Sequence, residues 1–497
     1  MSNIRVTFSG LISFVVGITS VVTGLIFTLI VTRQLTQTEF GTWGLIGSLI
    51  SYVIFVEPVI SYWTTREIAR GESSGKTSIL SSGIFSGGAI LVYLVISFII
   101  GNQTDANYEI LLFASILIPV MFLNKTLNAI NNATKPHATS YGLLSFELVK
   151  IPIGLTLVYF LQMGIQGAIL SSLGAYIASN MILFYYAKDY IKGKFQRKLP
   201  KKWLKLFWVP LFPGISSIIM NLDVAIFSIL TNSVMGIALF AASSTVTGLI
   251  SHSYLISKAV YPKLLSGGKY EYVQENLIRF LYFSIPLTSI TIVFTKPALF
   301  TLNPIYDVAA IIVPFMALKV FLMMFTAVVA APLQGIDKVD AREKSTFRDY
   351  LKSSLFLLPT YRMIHNIIYI LIMTIIIIIA KFNESSEIEL VLYWTIVGLV
   401  CHIPLTVIFY VMSKKKFSLT LMNTSIIKYF VSSVFVFSLV YLLMDKFLVY
   451  ENSIFDFLPN LIVYLIFASV LYLSVTYFID RKTKDLFVSI YNEIRKK

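Results

Sequence analysis

Cysteine, histidine and charge are all scarce in this chain. Its 497 residues include one cysteine, Cys401, so no intrachain disulfide can form and cysteine usage says nothing of redox compartment. Four histidines, none spaced as HxxxH or HxxE, leave little to hold zinc, and no metal or cofactor is expected. No phosphate-binding GxxxxGKS or GxxxxGKT occurs, and the connections between apolar runs are too short for a nucleotide domain, which excludes ATP as the direct energy source. Charged residues make up 13% of the chain against about 25% in soluble domains, while hydrophobic residues reach 57%. A soluble globular fold, a disordered chain and a disulfide scaffold are therefore excluded together. The net charge of +15 would suit nucleic acid, but the Lys and Arg lie between long apolar runs, which points to a membrane.

A bilayer core needs roughly 20 apolar residues per helix. Fourteen such runs are present: 10–31, 43–64, 78–100, 109–131, 141–161, 165–187, 205–230, 235–257, 277–295, 308–331, 364–380, 390–411, 425–444 and 458–479. The weakest are 165–187, with an early Gln166, and the short 364–380. The first has no small-residue cleavage site behind it and exceeds a signal-peptide core, so it is read as mature structure. The expected fold is an all-α polytopic membrane protein of about 14 transmembrane helices.

Charge placement tests that count independently. With the N-terminus inside, the outer connections hold only Arg33, Lys296, Lys381 and Lys446, and Lys125, Lys150 and Lys319 lie within spans. The other 33 basic residues lie on inner connections or within a turn of the inner span ends. That asymmetry is what the positive-inside rule requires of an even number of spans with both termini cytoplasmic in the cell membrane. Counted with Asp and Glu, the inner side carries +21, the outer side −6 and the membrane interior zero. Outer connections are too short for a catalytic domain. Two inner ones are long and basic: 188–204, with Lys188, Lys192, Lys194, Arg197, Lys198, Lys201 and Lys202, and 332–363, with Lys338, Arg342, Lys344, Arg348, Lys352 and Arg362. Both suit anionic headgroups. The second carries Phe347, Tyr350, Leu351, Leu355 and Leu358 among its charges, compatible with an interfacial helix or a solvated loop.

One internal repeat is visible. Leu35-Thr36-Gln37-Thr38-Glu39-Phe40-Gly41 aligns with Leu230-Thr231-Asn232-Ser233-Val234-Met235-Gly236, 195 residues later and six spans on. Each copy forms an outer turn with Gly where the next helix begins. Both halves therefore start on the same side, as parallel repeats about an axis along the membrane normal, a transporter plan. The expected organisation is a six-helix N-lobe over 1–187, a basic linker over 188–204, a pseudo-symmetric six-helix C-lobe over 205–412, and two added helices with a basic tail over 413–497.

Ionisable groups at bilayer depth cost roughly 2.5 kcal/mol or more each and usually mark function. Here they are Glu57, Lys125, Glu147, Lys150, Asp223 and Lys319, with His252 and His402 able to titrate. Glu147 and Lys150, three apart on one helix, read as a structural pair. Lys125 and Lys319 fall on corresponding helices of the two halves and could offer cations to a phosphate, though Lys125 could equally snorkel from its helix end. Prolines within spans (Pro58, Pro119, Pro152, Pro210, Pro213, Pro286, Pro314 and Pro404) are expected to kink their helices.

Two stretches resemble a known family. Arg33-Gln34-Leu35, three residues on, Glu39-Phe40-Gly41-Thr42-Trp43 is similar to the Arg-x-Leu, Glu-aromatic-Gly turn of polysaccharide flippases. Asn221-Leu222-Asp223-Val224, Met235-Gly236-Ile237-Ala238 and Ala259-Val260-Tyr261-Pro262-Lys263-Leu264 resemble that family's seventh and eighth helices. The chain thus resembles the polysaccharide (O-antigen type) flippase branch of the multidrug, oligosaccharidyl-lipid and polysaccharide exporter superfamily. The resemblance implies two six-helix lobes around a central cavity, alternating access, and transfer of an isoprenoid-phosphate-linked oligosaccharide across the cytoplasmic membrane. Of the matching positions, Arg33, Glu39, Gly41, Asp223, Gly236 and Pro262, most are read as architectural. Ile237-Ala238 departs from the family's aromatic after Gly236, and 332–363 is longer than usual. An uncharged first span argues against the peptidoglycan-precursor branch, which typically carries a basic residue there.

On this reading the substrate-binding candidates are Arg33, Glu57, Lys125, Asp223 and Lys319, with Asn128, Asn131 and Asn221 available to sugar hydroxyls. No catalytic residue is expected. Expected partners are a lipid-linked glycan, membrane lipids, H+ or Na+ as coupling ion, and glycosyltransferases of the same pathway, with no nucleic acid. The rivals are an ion-coupled multidrug-type antiporter of the same fold, which calls for an unbalanced acidic cavity, and a membrane-embedded glycosyltransferase or polymerase, which calls for a DxD or a sizeable outer loop.

Overall fold

The computed structural model describes residues 19–20, 23–69, 71–205, 207–257, 271–337, 349, 351–421, 423–451, 453–485 and 488. Most of the first expected span, the Ala259–Leu264 motif with Pro262, Phe347, Tyr350, the basic residues 338–348 and, save residue 488, the tail beyond Asp485 lie outside them.

Among the described residues every regular element is helical. In chain order these are α1 (23–34), α2 (Gln37–Ile54), α3 (Pro58–Ala69), α4 (Gly75–Gly101), α5 (Tyr108–Ala114), α6 (Leu117–Thr134), α7 (His137–Gly154), α8 (Gly164–Ile191), α9 (Lys198–Lys205), α10 (Trp208–Thr231), α11 (Met235–Ser251), α12 (Glu271–Val293), α13 (Thr295–Leu302), α14 (Val313–Gly335), α15 (Ser354–Phe382), α16 (Glu387–Phe417), α17 (Thr424–Phe447) and α18 (Ile454–Ile479). Among the described residues twelve helical stretches are long and apolar enough to cross a membrane, and α2 with α3 makes a thirteenth, bent by 55°. Each matches an expected span, so the chain is a polytopic all-α membrane protein. Of the expected connections, 296–307 is itself helical, as α13 and a 3-10 turn over Pro304–Ile311. Leu355 and Leu358 belong to α15, which starts earlier than its apolar run, with Leu358 and Pro359 buried and residues 354–357 half-buried.

The spans are built outside in. On α4, Leu80, Ile84, Leu91, Val95 and Phe98 are exposed while Thr77, Ser78, Ser81, Ser82, Ser86, Ala89 and Ser97 are buried. Small and hydroxylic side chains let helices approach closely, and the long apolar ones face lipid. Some of these hydroxyls bond locally: Ser78 Oγ donates to Ser74 O at 2.9 Å and accepts from Thr64 Oγ1 at 2.7 Å, and Ser86 Oγ donates to Gly83 O at 2.9 Å.

The proline expectation holds in part. Pro58 opens α3 at the break from α2, and Pro152 precedes a π-helical turn over Leu155–Phe160. Pro314 stands in the first turn of α14, where the missing N–H costs nothing, so it does not kink the helix.

Two compact units divide the chain, Met1–Ala238 and Leu239–Lys497. In the first, α8 packs against α6 and α7, α6 against α3 and α4, and α10 against α2. In the second, α16 packs against α14 and α15, and α12 against α14 and α17, with α18 beyond α17. The two repeated turns meet inside the first unit. A Cβ on Gly41 would lie 2.0 Å from Val234 O, so glycine is required there by a backbone-to-backbone approach. Thr36 and Glu39 form a capping box on α2, with Glu39 N to Thr36 Oγ1 at 3.2 Å and Thr36 N to Glu39 Oε2 at 2.9 Å.

Candidate functional site

The break between α2 and α3 places Glu57. Pro58 cannot continue the α2 hydrogen-bond ladder, and the turn that results carries the carboxylate inward, where it is 1% exposed. Ser61 Oγ donates to Glu57 Oε2 at 3.1 Å, and Oε1 has no hydrogen-bond partner among the described residues. Glu57 lines a cavity of about 660 Å³ within the first unit. From α3 come Pro58, Ser61, Tyr62 and Thr65; from α6, Met121, Asn124, Lys125, Asn128, Ala129 and Asn132; from α8, Tyr176. Lys125 is exposed to this space and is electrostatically coupled to Glu57, without an ion pair inside 4.0 Å among the described residues.

The wall opposite Glu57 is a ladder of amides. Residues four apart share a helix face, so Asn124, Asn128 and Asn132 form one stripe along α6. Asn128 Nδ2 donates to Asn124 Oδ1 at 3.0 Å, and Asn124 Nδ2 donates to Ser179 Oγ at 3.0 Å and Asn180 Oδ1 at 2.9 Å. These bonds fix the amides while leaving acceptor and donor capacity toward the cavity. Asn124, Asn132, Tyr62 and Tyr176 were not among the sequence candidates, although the spacing of 124, 128 and 132 was there to be seen.

The remaining candidates of the first unit lie elsewhere. Arg33 sits partly buried in α1. Asp223, 6% exposed on α10, accepts from Val224 N at 2.8 Å. Beside it, Tyr52 OH of α2 donates to Asn221 O, and Asn221 Nδ2 donates to Ser51 Oγ at 3.4 Å. Asn131 is fully buried and donates to Leu183 O at 2.9 Å, joining α6 to α8. Glu147 and Lys150 do pair, at 2.9 Å, and Glu147 also accepts from Thr23 Oγ1 at 2.9 Å.

Lys319 belongs to the second unit. It is 8% exposed on α14, with Nζ 5.2 Å from the Tyr369 ring centre and 6.0 Å from that of Phe240. Trp394 Nε1 donates to Tyr369 OH at 2.8 Å and its ring stacks on Phe240 at 3.9 Å, which fixes this aromatic wall. Gly398 makes the room: a Cβ there would lie 2.7 Å from Lys319 Nζ. His365 and His402 follow, edge to face at 5.0 Å, and Thr326 Oγ1 lies 3.3 Å from His402 Nε2. The structure therefore brings Glu57 and Lys125 to one cavity of the first unit and places Lys319 in a basic and aromatic cluster of the second. No three His, Cys, Asp or Glu among the described residues come together as metal ligands.

A third feature is apolar. Within the second unit a groove of about 610 Å³ is lined by Leu281, Ile285 and Ile292 of α12, Phe321 and Phe325 of α14, Val407 and Tyr410 of α16, and Ile426, Ile427 and Phe430 of α17. Among the described residues, Thr288, Ser289 and Thr406 are its only hydroxylic lining besides Tyr410.

No protein-family model matches the chain, and no curated protein matches it by sequence. Solved structures do. The lipid II flippase MurJ in an inward closed conformation is similar over 96% of this chain and 100% of its own, with a TM-score of 0.68 and 15% identity. An inward-facing multidrug resistance MATE family transporter of the MOP superfamily is similar over 80% of this chain and 94% of its own, with a TM-score of 0.58 and 13% identity. A MATE structure in the straight conformation covers 82% and 94%, with a TM-score of 0.51 and 14% identity. These likenesses, to transporters and a flippase, give the chain the fold of that transporter group.

Proposed function

We propose that this protein is a flippase that moves an isoprenoid-phosphate-linked oligosaccharide across the cytoplasmic membrane, for surface polysaccharide or glycan synthesis. The cavity of the first unit carries the reading. Its three-rung amide ladder, two tyrosines and the Glu57–Lys125 charges offer donors, acceptors and ring faces, the chemistry that hydroxyl-rich sugars require. Lys125 supplies a cation for the phosphate in this cavity, and Lys319, Arg33 and Asp223 are further binding candidates. Only the polar headgroup then needs shielding, while the isoprenoid tail stays in lipid. In the cycle the headgroup is exposed alternately to the two sides, with both termini cytoplasmic. An H+ or Na+ gradient would supply the coupling, and glycosyltransferases of the same pathway would supply the substrate.

The likeness to a lipid II flippase bears on the fold and leaves the glycan open. The second reading, an ion-coupled small-molecule antiporter, is favoured by the likeness to MATE structures. It is disfavoured by Lys125 facing Glu57, since a cavity for organic cations calls for excess acid. The two separate in proteoliposomes. A fluorescent polyprenyl-phosphate-linked oligosaccharide is expected to become accessible in the opposite leaflet faster than in empty vesicles. No flipping, with gradient-driven uptake of a cationic dye instead, establishes the antiporter.

A further inference from the structure

Between Asp189 and Asp223 the chain carries seven basic residues and no acidic one. Part of that stretch is α9, whose eight residues divide by face. At 100° per residue Leu199 and Trp203 share one side. They are 9% and 1% exposed, packed against Val59, Ile60 and Trp63 of α3. Lys202 lies on the flank, and its Nζ reaches Glu67 Oε1 of α3 at 2.8 Å, where the Glu67 side chain is 5% exposed. Lys198, Lys201, Leu204 and Lys205 fall on the opposite side, all exposed. Phe195, Phe207 and Trp208, flanking α9, are exposed as well. The linker is strapped to α4 by Gln196 N donating to Thr77 Oγ1 at 2.9 Å.

We propose that the outer face of α9 is a binding surface for anionic lipid headgroups, and that a headgroup held there clamps α9 onto α3. A row of lysines with apolar neighbours, at the membrane end of two spans, matches a negatively charged bilayer surface in both its charge and its wedge of hydrocarbon. The clamp follows from the inner face. Trp203 and the Lys202–Glu67 bridge tie α9 to the leg of the broken span that begins beside Glu57 and lines the first unit's cavity. Anionic lipid would thus steady the cavity wall without entering the cavity, whatever substrate the cavity takes.

Two measurements on the full-length protein test this. In native mass spectrometry from detergent, the wild type is expected to retain phosphatidylglycerol in preference to phosphatidylcholine. A Lys198→Gln, Lys201→Gln, Lys205→Gln variant, which keeps Lys202, is expected to lose that preference, at about fivefold per lysine for a contribution of about 1 kcal/mol each. In nanodiscs, deuterium uptake over 58–69 is expected to be lower in phosphatidylglycerol than in phosphatidylcholine, and equal in the two for the variant. A wild type without lipid preference, a variant that keeps it in full, or uptake over 58–69 indifferent to lipid charge overturns the proposal. An unchanged melting temperature of the variant in detergent verifies that it folds.

Discussion

Glu57 shows what one residue in a membrane span can be asked to do. A carboxylate at that depth is tolerated where the helix turns away and a polar cavity opens beside it, and both conditions are met by the Pro58 break. Lys125 supplies the countercharge across the space. Replacing Lys125 with Gln keeps length and polarity but removes the charge, and transport by the reconstituted protein is expected to fall about tenfold or more, the loss of one charge-assisted contact of 1.5–3 kcal/mol. Lys319→Gln is expected to add to it, and undiminished flipping in the double variant would exclude both lysines from the substrate path. These charges were legible in the sequence because they interrupt apolar runs. Tyr176 and Asn124 were not, since only the packing of α8 and α3 on α6 turns them into one wall. Gly41 was legible as half of a repeat, yet its reason is a contact. A methyl group at 2.0 Å from Val234 O must displace backbone, so Gly41→Ala is expected to lower the melting temperature by an overpacking cost of about 1–3 kcal/mol. An unshifted melt would mean the two turns can separate freely.

At the scale of helices, two starts are fixed by short local patterns. Thr36 with Glu39 and Ser386 with Glu389 are capping boxes in both sequence spacing and geometry. The end of α18 was not foreseen. Asp480, just past that helix, accepts from Ser425 Oγ and Tyr429 OH of α17, each at 2.9 Å, and from Thr483 N at 3.1 Å. A 4% exposed carboxylate thus pins two helix ends together, and nothing in the local pattern around 480 announces partners 51 and 55 residues earlier. Burial alone would raise its pKa, but the hydrogen bonds from Ser425, Tyr429 and Thr483 outweigh it and hold the group below its ordinary 3.8. The folded form therefore favours the ionised state, and its stabilisation is complete above pH 3.8 and lost as pH falls through the lower folded value. Asp480→Asn is expected to cost about 1–3 kcal/mol at neutral pH. The gap between variant and wild type should close in acid, and a gap independent of pH down to the lowest pH at which the protein stays folded would show that the charge is not what matters.

For the molecule as a whole, the sequence gives more of the topology than of the grouping. Span positions and basic connections are local properties and could be read directly. Grouping depends on contacts: the repeat pairs α10 with the start of a second half, while α10 packs on α2 through Tyr52, Ser51 and Asn221 and lies in the first compact unit. The positive-inside expectation puts most of the +15 net charge on one side, an orientation that can be tested simply because the chain has a single cysteine. In a Cys401→Ser background, Asn383→Cys lies at the turn between α15 and α16, and Lys201→Cys on the exposed face of α9. The rule that basic connections stay inside puts these positions on opposite faces of the membrane. An impermeant maleimide applied to intact cells should label Asn383→Cys at once and Lys201→Cys only after permeabilisation. The reverse pattern would invert the topology and place α9 against the outer leaflet. Labelling of both in intact cells would require an even number of crossings between them, whereas five stretches long and apolar enough to span, α10, α11, α12, α14 and α15, lie between α9 and Asn383 among the described residues, and five crossings send the two positions to different sides.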